Sequence, residues 1–257
     1  MNGILKKSYS AVVFLFLYLP LVVMAVYSFN ASKYSLSWTG FTLKWYTGLI
    51  NNVTLIEAAL HSLIIAAGSA CISTVIGTLA ALIMHQYRFA GRKTLFGILF
   101  VMMMSPDIVI AISLLTLYLL LKMPLGFWTL LMSHVTLCVP FVATTIFSRL
   151  KTFDPAVVDA ARDLGAGEYQ VFRHIILPVA LPAVVAGWLL SFTLSLDDVI
   201  ISFFSTGPTF EVLPLRIYSM VRLGIKPEVN ALCVLMIGMT IAAFLLAQYC
   251  LKKEKSS

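Results

Sequence analysis

Six long apolar runs divide the chain, each bounded by polar or basic turns. They cover about 9–29, 58–84, 94–122, 127–147, 183–202 and 231–251. A run of this length without charge reads as a membrane span, because only a helix satisfies its own backbone in lipid. The first run follows Lys6 and Lys7, as a leader peptide would. It is rather long for one and ends in no small-x-small site, so it is expected to stay as an uncleaved span. The second run is rich in small residues, among them Ala66, Ala67, Gly68, Ser69, Ala70 and Gly77. Such residues let helices approach closely, which predicts a place inside the bundle. The third is interrupted by Ser105-Pro106-Asp107, and the fourth carries Pro140. Between the spans, two long loops are predicted at 30–57 and 203–230. The expected fold is an all-α polytopic membrane protein, one transmembrane domain over 1–257 with six transmembrane helices.

The longest polar interruption is 154–182, DPAVVDAARDLGAGEYQVFRHIILPVALP. It nevertheless reads as ordered. Asp154 followed by Pro155 suits a helix start, a capping oxygen and then a ring with φ preset. Val157, Val158, Ala161 and Leu164 recur at helical spacing, and Gly165 stands where a helix stop needs φ > 0. A second short helix is predicted from about 167 to 176, with Tyr169, Phe172 and Ile176 on one face. Pro178 and Pro182 are expected to close it. Two short helices joined by a glycine make a knob that should pack against something.

Composition agrees with the pattern. Of 257 residues, 60% are hydrophobic and 11% charged, and the mean hydropathy is +0.97. Soluble domains sit nearer 45–50% apolar. The net charge of +7 does not argue for nucleic acid, since most basic residues lie in short loops beside the spans. With six spans, twelve of the 18 Lys and Arg fall on the face of the N-terminus: Lys6, Lys7, Arg88, Arg92, Lys93, Arg149, Lys151, Arg162, Arg173, Lys252, Lys253 and Lys255. That bias predicts both termini and the 154–182 knob on the cytoplasmic side. Cys71, Cys138, Cys233 and Cys250 lie in apolar segments without paired spacing and read as small hydrophobes.

Candidate chemistry is sparse. His61, His85, His134 and His174 show no metal-ligand spacing, and no nucleotide phosphate loop or nucleophile motif occurs. No metal site and no catalytic residue are expected. Three acids, Asp107, Asp197 and Asp198, stand in or at the ends of apolar runs without a Lys or Arg one turn away. A carboxylate at such depth costs at least about 2–3 kcal/mol and usually faces a cavity or a partner. In a basic chain these acids suggest a cation path; the plainer reading is that they cap broken helices. Ser105 and Asp107 flank the proline break and can offer oxygens to an ammonium group. Trp45, Tyr46, Tyr118 and Trp188 can offer cation–π faces, though Trp and Tyr also anchor headgroup interfaces.

The spacing Asp159-Ala160-Ala161, three residues, Gly165, nine residues, then Ile175, Leu177 and Pro178 resembles the signature loop of ABC importer permeases, EAA-x3-G-x9-I-x-LP. Asp159 departs from its Glu, keeping the charge with one methylene less. The segments MMSPDIVIAISLL, LGFWTLLMSHVTLCVPFV, SFTLSLDDVIISFF and TGPTFEVLPLRIYSMVRLGIKPEVNAL extend the likeness to nearly the whole chain. They are similar to the spermidine/putrescine branch of the type I ABC importer permeases. The resemblance implies a transport subunit, not an enzyme, in the bacterial inner membrane. It implies a homologous second permease, two copies of an ATPase that binds ATP and Mg2+, and a periplasmic polyamine-binding protein. No cofactor is expected in this chain. The knob would dock on the ATPase, and the binding protein on the outer loops. The expected substrate path is Asp107, Asp197, Asp198, Ser105, Trp45 and Tyr46. Three other readings stay open: the same fold importing another solute, a proton-coupled amine transporter working alone, and an intramembrane aspartyl enzyme. Adjacent Asp197 and Asp198 point about 100° apart on a helix, a poor dyad.

Overall fold

The computed structural model describes residues 3–32, 37–154, 156–222, 224 and 226–254, with side chains left out at 3–6, 239 and 242–254. Pro155 therefore lies outside the described residues. The chain forms two compact units, 57–215 and the pair of segments 1–56 and 216–257.

In the unit built from the chain ends, α1 (Gly3–Tyr27) and α2 (Lys44–Ile50) both pack on α12 (Pro227–Glu254). The α1 side chains from Tyr9 to Leu19 are exposed all round, as on a helix whose surroundings are lipid or another chain. The loop after α1 is organised by buried Asn30. Its Oδ1 accepts the Thr39 N–H at 3.0 Å, and its Nδ2 donates to the Ser37 carbonyl at 2.7 Å. The loop contains one isolated bridge, Asn30 to Phe41.

The 57–215 unit contains α3 (Val53–Gln86), α4 (Arg92–Met104), α5 (Asp107–Leu120) and α6 (Phe127–Lys151). Next come α7 (Ala156–Asp163), α8 (Glu168–Val171), a π turn (Phe172–Ile176), α9 (Leu177–Asp197) and α10 (Ile200–Ser205). Then α11 (Leu213–Arg222) leads out of it. At the centre α6 packs along α9. Val142 of α6 is wedged between two glycines: a Cβ on Gly77 would lie 2.7 Å from its Cβ, and one on Gly187 would lie 3.2 Å from its Cγ1. Small residues thus hold α3, α6 and α9 at close range.

Among the described residues, four helices are long and apolar enough to cross a membrane: 7–27 of α1, α3, α6, and the continuous stretch Glu168–Asp197. The bent pair α4–α5 makes a fifth if counted as one span. Together with α12, these elements follow the order of the six expected spans. Hydroxyls along them are returned to their own helices, as when Ser113 donates to the Val109 carbonyl and Thr136 to that of Met132. Such back-bonding lets a polar residue sit in an apolar span without an unmade bond.

The knob differs from its sequence-based outline in two ways. First, Pro178 and Pro182 do not close a helix; they lie inside one. Pro178 occupies the first turn of α9 and Pro182 sits a turn further on. Pro178 falls where the π turn passes into α9, and Pro182 leaves only the Pro178 carbonyl without its usual donor, so the helix runs on through both. The fifth span therefore begins well before residue 183. Secondly, of the predicted face Tyr169, Phe172 and Ile176, Ile176 is buried and Phe172 packs against the core, but Tyr169 is exposed, and Val171 and Ala180 complete the buried stripe. The π turn widens the repeat, so the inward positions are first five apart and then four.

Candidate functional site

The third span breaks where proline requires it. Pro106 has no N–H to give the Met102 carbonyl, and α4 ends at Met104. The two halves, α4 and α5, meet at 109°. Asp107 opens α5 and is exposed, a favourable place for a negative charge at a helix N-terminus. Ser105 donates its hydroxyl proton to the Val101 carbonyl at 2.8 Å, which leaves its oxygen lone pairs as acceptors.

A second break separates α9 from α10. Asp197 is the last residue of α9 and is exposed. Asp198 adopts extended backbone, φ −68° and ψ 127°. Its Oδ2 accepts the Ser202 N–H at 2.7 Å and its Oδ1 the Ile201 N–H at 3.3 Å. Asp198 is thus the cap of α10, and only 7% of its side chain is exposed. The two breaks meet. One turn beyond Asp107, Ala111 packs with Ile201 of α10 and Leu137 of α6. The acid-bearing starts of α5 and α10 are therefore held together on α6.

Behind the second break runs a buried polar seam. Ser69 of α3 donates to the Ser195 hydroxyl at 3.0 Å. His134 of α6 contacts Ser195 at 2.6 Å and Ser202 at 3.1 Å. A parallel seam joins Tyr118, Ser133 and Ser205, each contact 2.8 Å. Tyr118 is buried with its hydroxyl bonded, so its ring presents no open face for a cation. Trp188 stacks on Phe192 and turns its ring N–H to the Cys71 sulfur at 3.3 Å.

Trp45 and Tyr46 belong to the other unit. The Trp45 ring N–H donates to the Asn30 carbonyl at 2.7 Å, and Lys44 Nζ lies 4.7 Å from the Trp45 ring centroid. The Tyr46 hydroxyl is 2.7 Å from that of Ser28, and its ring stacks on Phe29. Both rings brace the loop that follows α1.

The knob, α7 to the start of α9, follows directly on α6. Asp154 Oδ1 accepts the Ala156 N–H at 2.9 Å and starts α7. Val158, Ala161, Ala166 and Phe172 pack on a core that includes Leu82, Ile146, Leu150 and Ile176. Ala161 is therefore a foot of the knob, and Asp159 and Ala160 stand exposed beside it. Gly165 takes φ +86°, which only glycine adopts without strain. Arg162 bridges the glycine turn, donating from Nε and Nη2 to the two Glu168 oxygens at 3.0 and 3.1 Å. Asp159 approaches the same guanidinium at 3.7 Å. The Glu168 carboxylate holds the Arg162 guanidinium above its ordinary range. A raised cation keeps its charge at every pH below its unfolded value, so the guanidinium stays charged at neutrality. Ile175 is half-buried in the π turn, and Leu177 and Pro178 begin α9.

Residues 73–252 match the family described as the inner membrane component of binding-protein-dependent transport systems. The chain belongs to this family. It is 51% identical over 245 residues to the spermidine/putrescine transport system permease protein PotC of Escherichia coli K12, covering 95% of this chain and 93% of that one. The PotC of Haemophilus influenzae is also 51% identical, over 97% of both chains. The putrescine transport system permease protein PotI of E. coli K12 is 40% identical over 88% of this chain and 83% of its own. Among solved structures, a chain of a bacterial ABC transporter that imports alginate superposes with a TM-score of 0.71 at 15% identity, over 96% of this chain and 92% of that one. A chain of the inward-facing MetNI methionine ABC transporter gives 0.67 at 17% identity, over 77% and 94%. The fold of this inner membrane component is thus the all-α, polytopic fold of type I ABC importer permeases.

His134 lacks metal-ligand spacing, and its role is not legible in the sequence. No pair at helical spacing marks this residue, since its partners are 61 and 68 positions away. The one available sign was a histidine in the middle of an uncharged span, on the helix that also carries Ser133.

Proposed function

We propose that this chain is the transmembrane permease subunit of an ATP-driven importer of polyamines, spermidine and putrescine. The observation that carries it is 51% identity, over nearly the full length of both chains, with spermidine/putrescine permeases. The site supports the same substrate. A polyamine is a flexible polycation, and Asp107 and Asp197 stand exposed at helix breaks whose elements pack together. Carboxylates can replace the water around an ammonium group, and a row of them lets the cargo move on. Ser105 adds an acceptor oxygen beside the first break, and Asp198 holds the start of α10 in place. Trp45 and Tyr46 order the outer loop that receives the cargo.

The chain has no phosphate loop of its own, so nucleotide chemistry belongs to a separate subunit. In this reading a pair of ATPase subunits binds ATP and Mg2+ and docks on the knob, Asp159 to Pro178. A homologous second permease completes the path, and a periplasmic binding protein delivers the amine. Both termini face the cytoplasm. Closure of the ATPase pair pulls on the knob. Because Ala161 and Phe172 are rooted on α3, α6 and α9, that motion reaches the helix breaks.

The test is uptake of labelled spermidine by proteoliposomes holding the assembled complex. Uptake should require ATP inside and the loaded binding protein outside. Uptake by the purified chain alone would overturn the reading in favour of a secondary transporter, and indifference to spermidine would assign the fold to another solute. Asp107→Asn removes a charge while keeping shape. Losing one charge-assisted contact worth about 1.5–3 kcal/mol should raise the apparent KM roughly 10- to 100-fold. An unchanged KM at low spermidine would take Asp107 out of the path.

A further inference from the structure

His134 has no part in the path described above, yet it is placed to control it. The residue is 1% exposed in the middle of α6. Its Nδ1 lies 2.6 Å from the Ser195 hydroxyl and its Nε2 3.1 Å from that of Ser202. Ser195 is on the last turn of α9, two residues before Asp197, and Ser202 is on α10, four residues after Asp198. One ring therefore grips both sides of the break. A neutral imidazole has one N–H donor and one acceptor nitrogen, and a hydroxyl serves as either, so both contacts are satisfied in either tautomer. Ser69 of α3 bonds Ser195 from behind, at 3.0 Å.

The two acids at the break are not equivalent. Both oxygens of Asp198 are turned into α10, and Oδ2 stands 3.8 Å from His134 Nε2, beyond hydrogen-bond length. Asp197 is exposed. The direction in which Asp197 points depends on the angle between α9 and α10. Ser133 and Thr129 of α6 hold Ser205 at the far end of α10, and Cys138 of α6 reaches the Ser191 carbonyl of α9, but His134 is the side chain of α6 bonded on both sides of the break itself.

We infer that His134 is a positioning residue for the cation path: by tying Ser195 and Ser202 to α6 it fixes the α9–α10 break and so aims Asp197 at the passing amine, while Asp198 serves the fold as the cap of α10. This rests on the polyamine-path reading above.

A double-mutant cycle in the assembled, reconstituted complex separates the two. Asp197→Asn, His134→Gln and their combination are compared for apparent KM and maximal rate of spermidine uptake, with complex yield as the check on assembly. Asp197→Asn should raise KM about tenfold or more, as removal of one member of a charge pair does. His134→Gln keeps one of the two contacts and should raise KM severalfold while the maximal rate stays within about twofold. The combination should match Asp197→Asn alone, because a misaimed group that is already removed costs nothing further. Thr136→Ala, on the same helix but bonded to its own backbone, should leave KM unchanged. If His134→Gln does not assemble, Ser202→Ala breaks the same link and is expected to show the same pattern. A raised KM for Asp197→Asn combined with multiplying effects of the two substitutions would overturn the positioning role alone. An unchanged KM for Asp197→Asn would overturn the path reading at this residue, and with it the role assigned to His134.

Discussion

Valine in place of Gly77 is expected to stop the 57–215 unit from assembling, seen as loss of monodisperse protein in detergent. A Cβ at Gly77 would stand 2.7 Å from both Cβ and Cγ1 of Val142 and 3.0 Å from the Ala143 backbone nitrogen. The valine side chain cannot rotate away, because Gly187 closes its other side. The backbone nitrogen cannot yield without moving α6. Overpacking by a single methyl costs about 1–3 kcal/mol. Against a total stability of about 5–15 kcal/mol, alanine should be tolerated with a lowered Tm. Valine adds two more methyls at the same contact and should not be. Val142→Ala in the Gly77→Ala chain should recover part of the lost Tm, since it removes the atoms in conflict. Normal yield and Tm for Gly77→Val would show that α3 and α6 do not need this close approach.

Aspartate at Leu164 is expected to abolish uptake while leaving the permease itself at its normal level. Leu164 is 89% exposed at the tip of the knob, just beyond α7. The knob does not depend on it: Val158, Ala161, Ala166 and Phe172 form its base, and Arg162 with Glu168 braces the turn. In the proposed complex the docked ATPase subunit would cover Leu164. Burying a leucine stabilises by about 1.5–3 kcal/mol, and a buried unpaired carboxylate reverses the sign. Association with the ATPase subunit should therefore weaken at least about 100-fold. Co-purification of the ATPase with the variant measures this directly. Retained ATPase with lost uptake would place Leu164 in the transmission of motion; retained uptake would remove it from the docking face.

Much of the fold could be read from the order of residues because lipid admits few solutions. An uncharged run has to close its own hydrogen bonds, so α3, α6 and a fifth span overlapping α9 were expected from length alone, though not where that span starts or breaks. The break at Pro106 was equally legible, since a missing N–H has the same consequence in any surroundings. Pro178 and Pro182 were misread for the opposite reason. Whether a proline ends a helix or rides inside one depends on whether the freed carbonyls find a place, and that is a property of the surroundings. Ile176 was legible as an inward position, but Val171 and Ala180 were not, because a π turn alters the 3.6-residue repeat.

The acids divide along the same line. The sequence by itself determined that this chain spans a membrane, that a charged knob interrupts it at 154–182, and that three carboxylates stand at helix ends where charge is costly. Each of these follows from local chemistry and the solvent. Only the tertiary structure decided that Asp198 caps α10 while Asp197 stays free of that task. It also decided that the starts of α5 and α10 meet on α6, and that His134 links Ser195 to Ser202. The last two depend on residues from different helices meeting, His134 with partners 61 and 68 positions away and Ala111 with Leu137 and Ile201. Sequence spacing encodes one helix at a time and carries no distance between two.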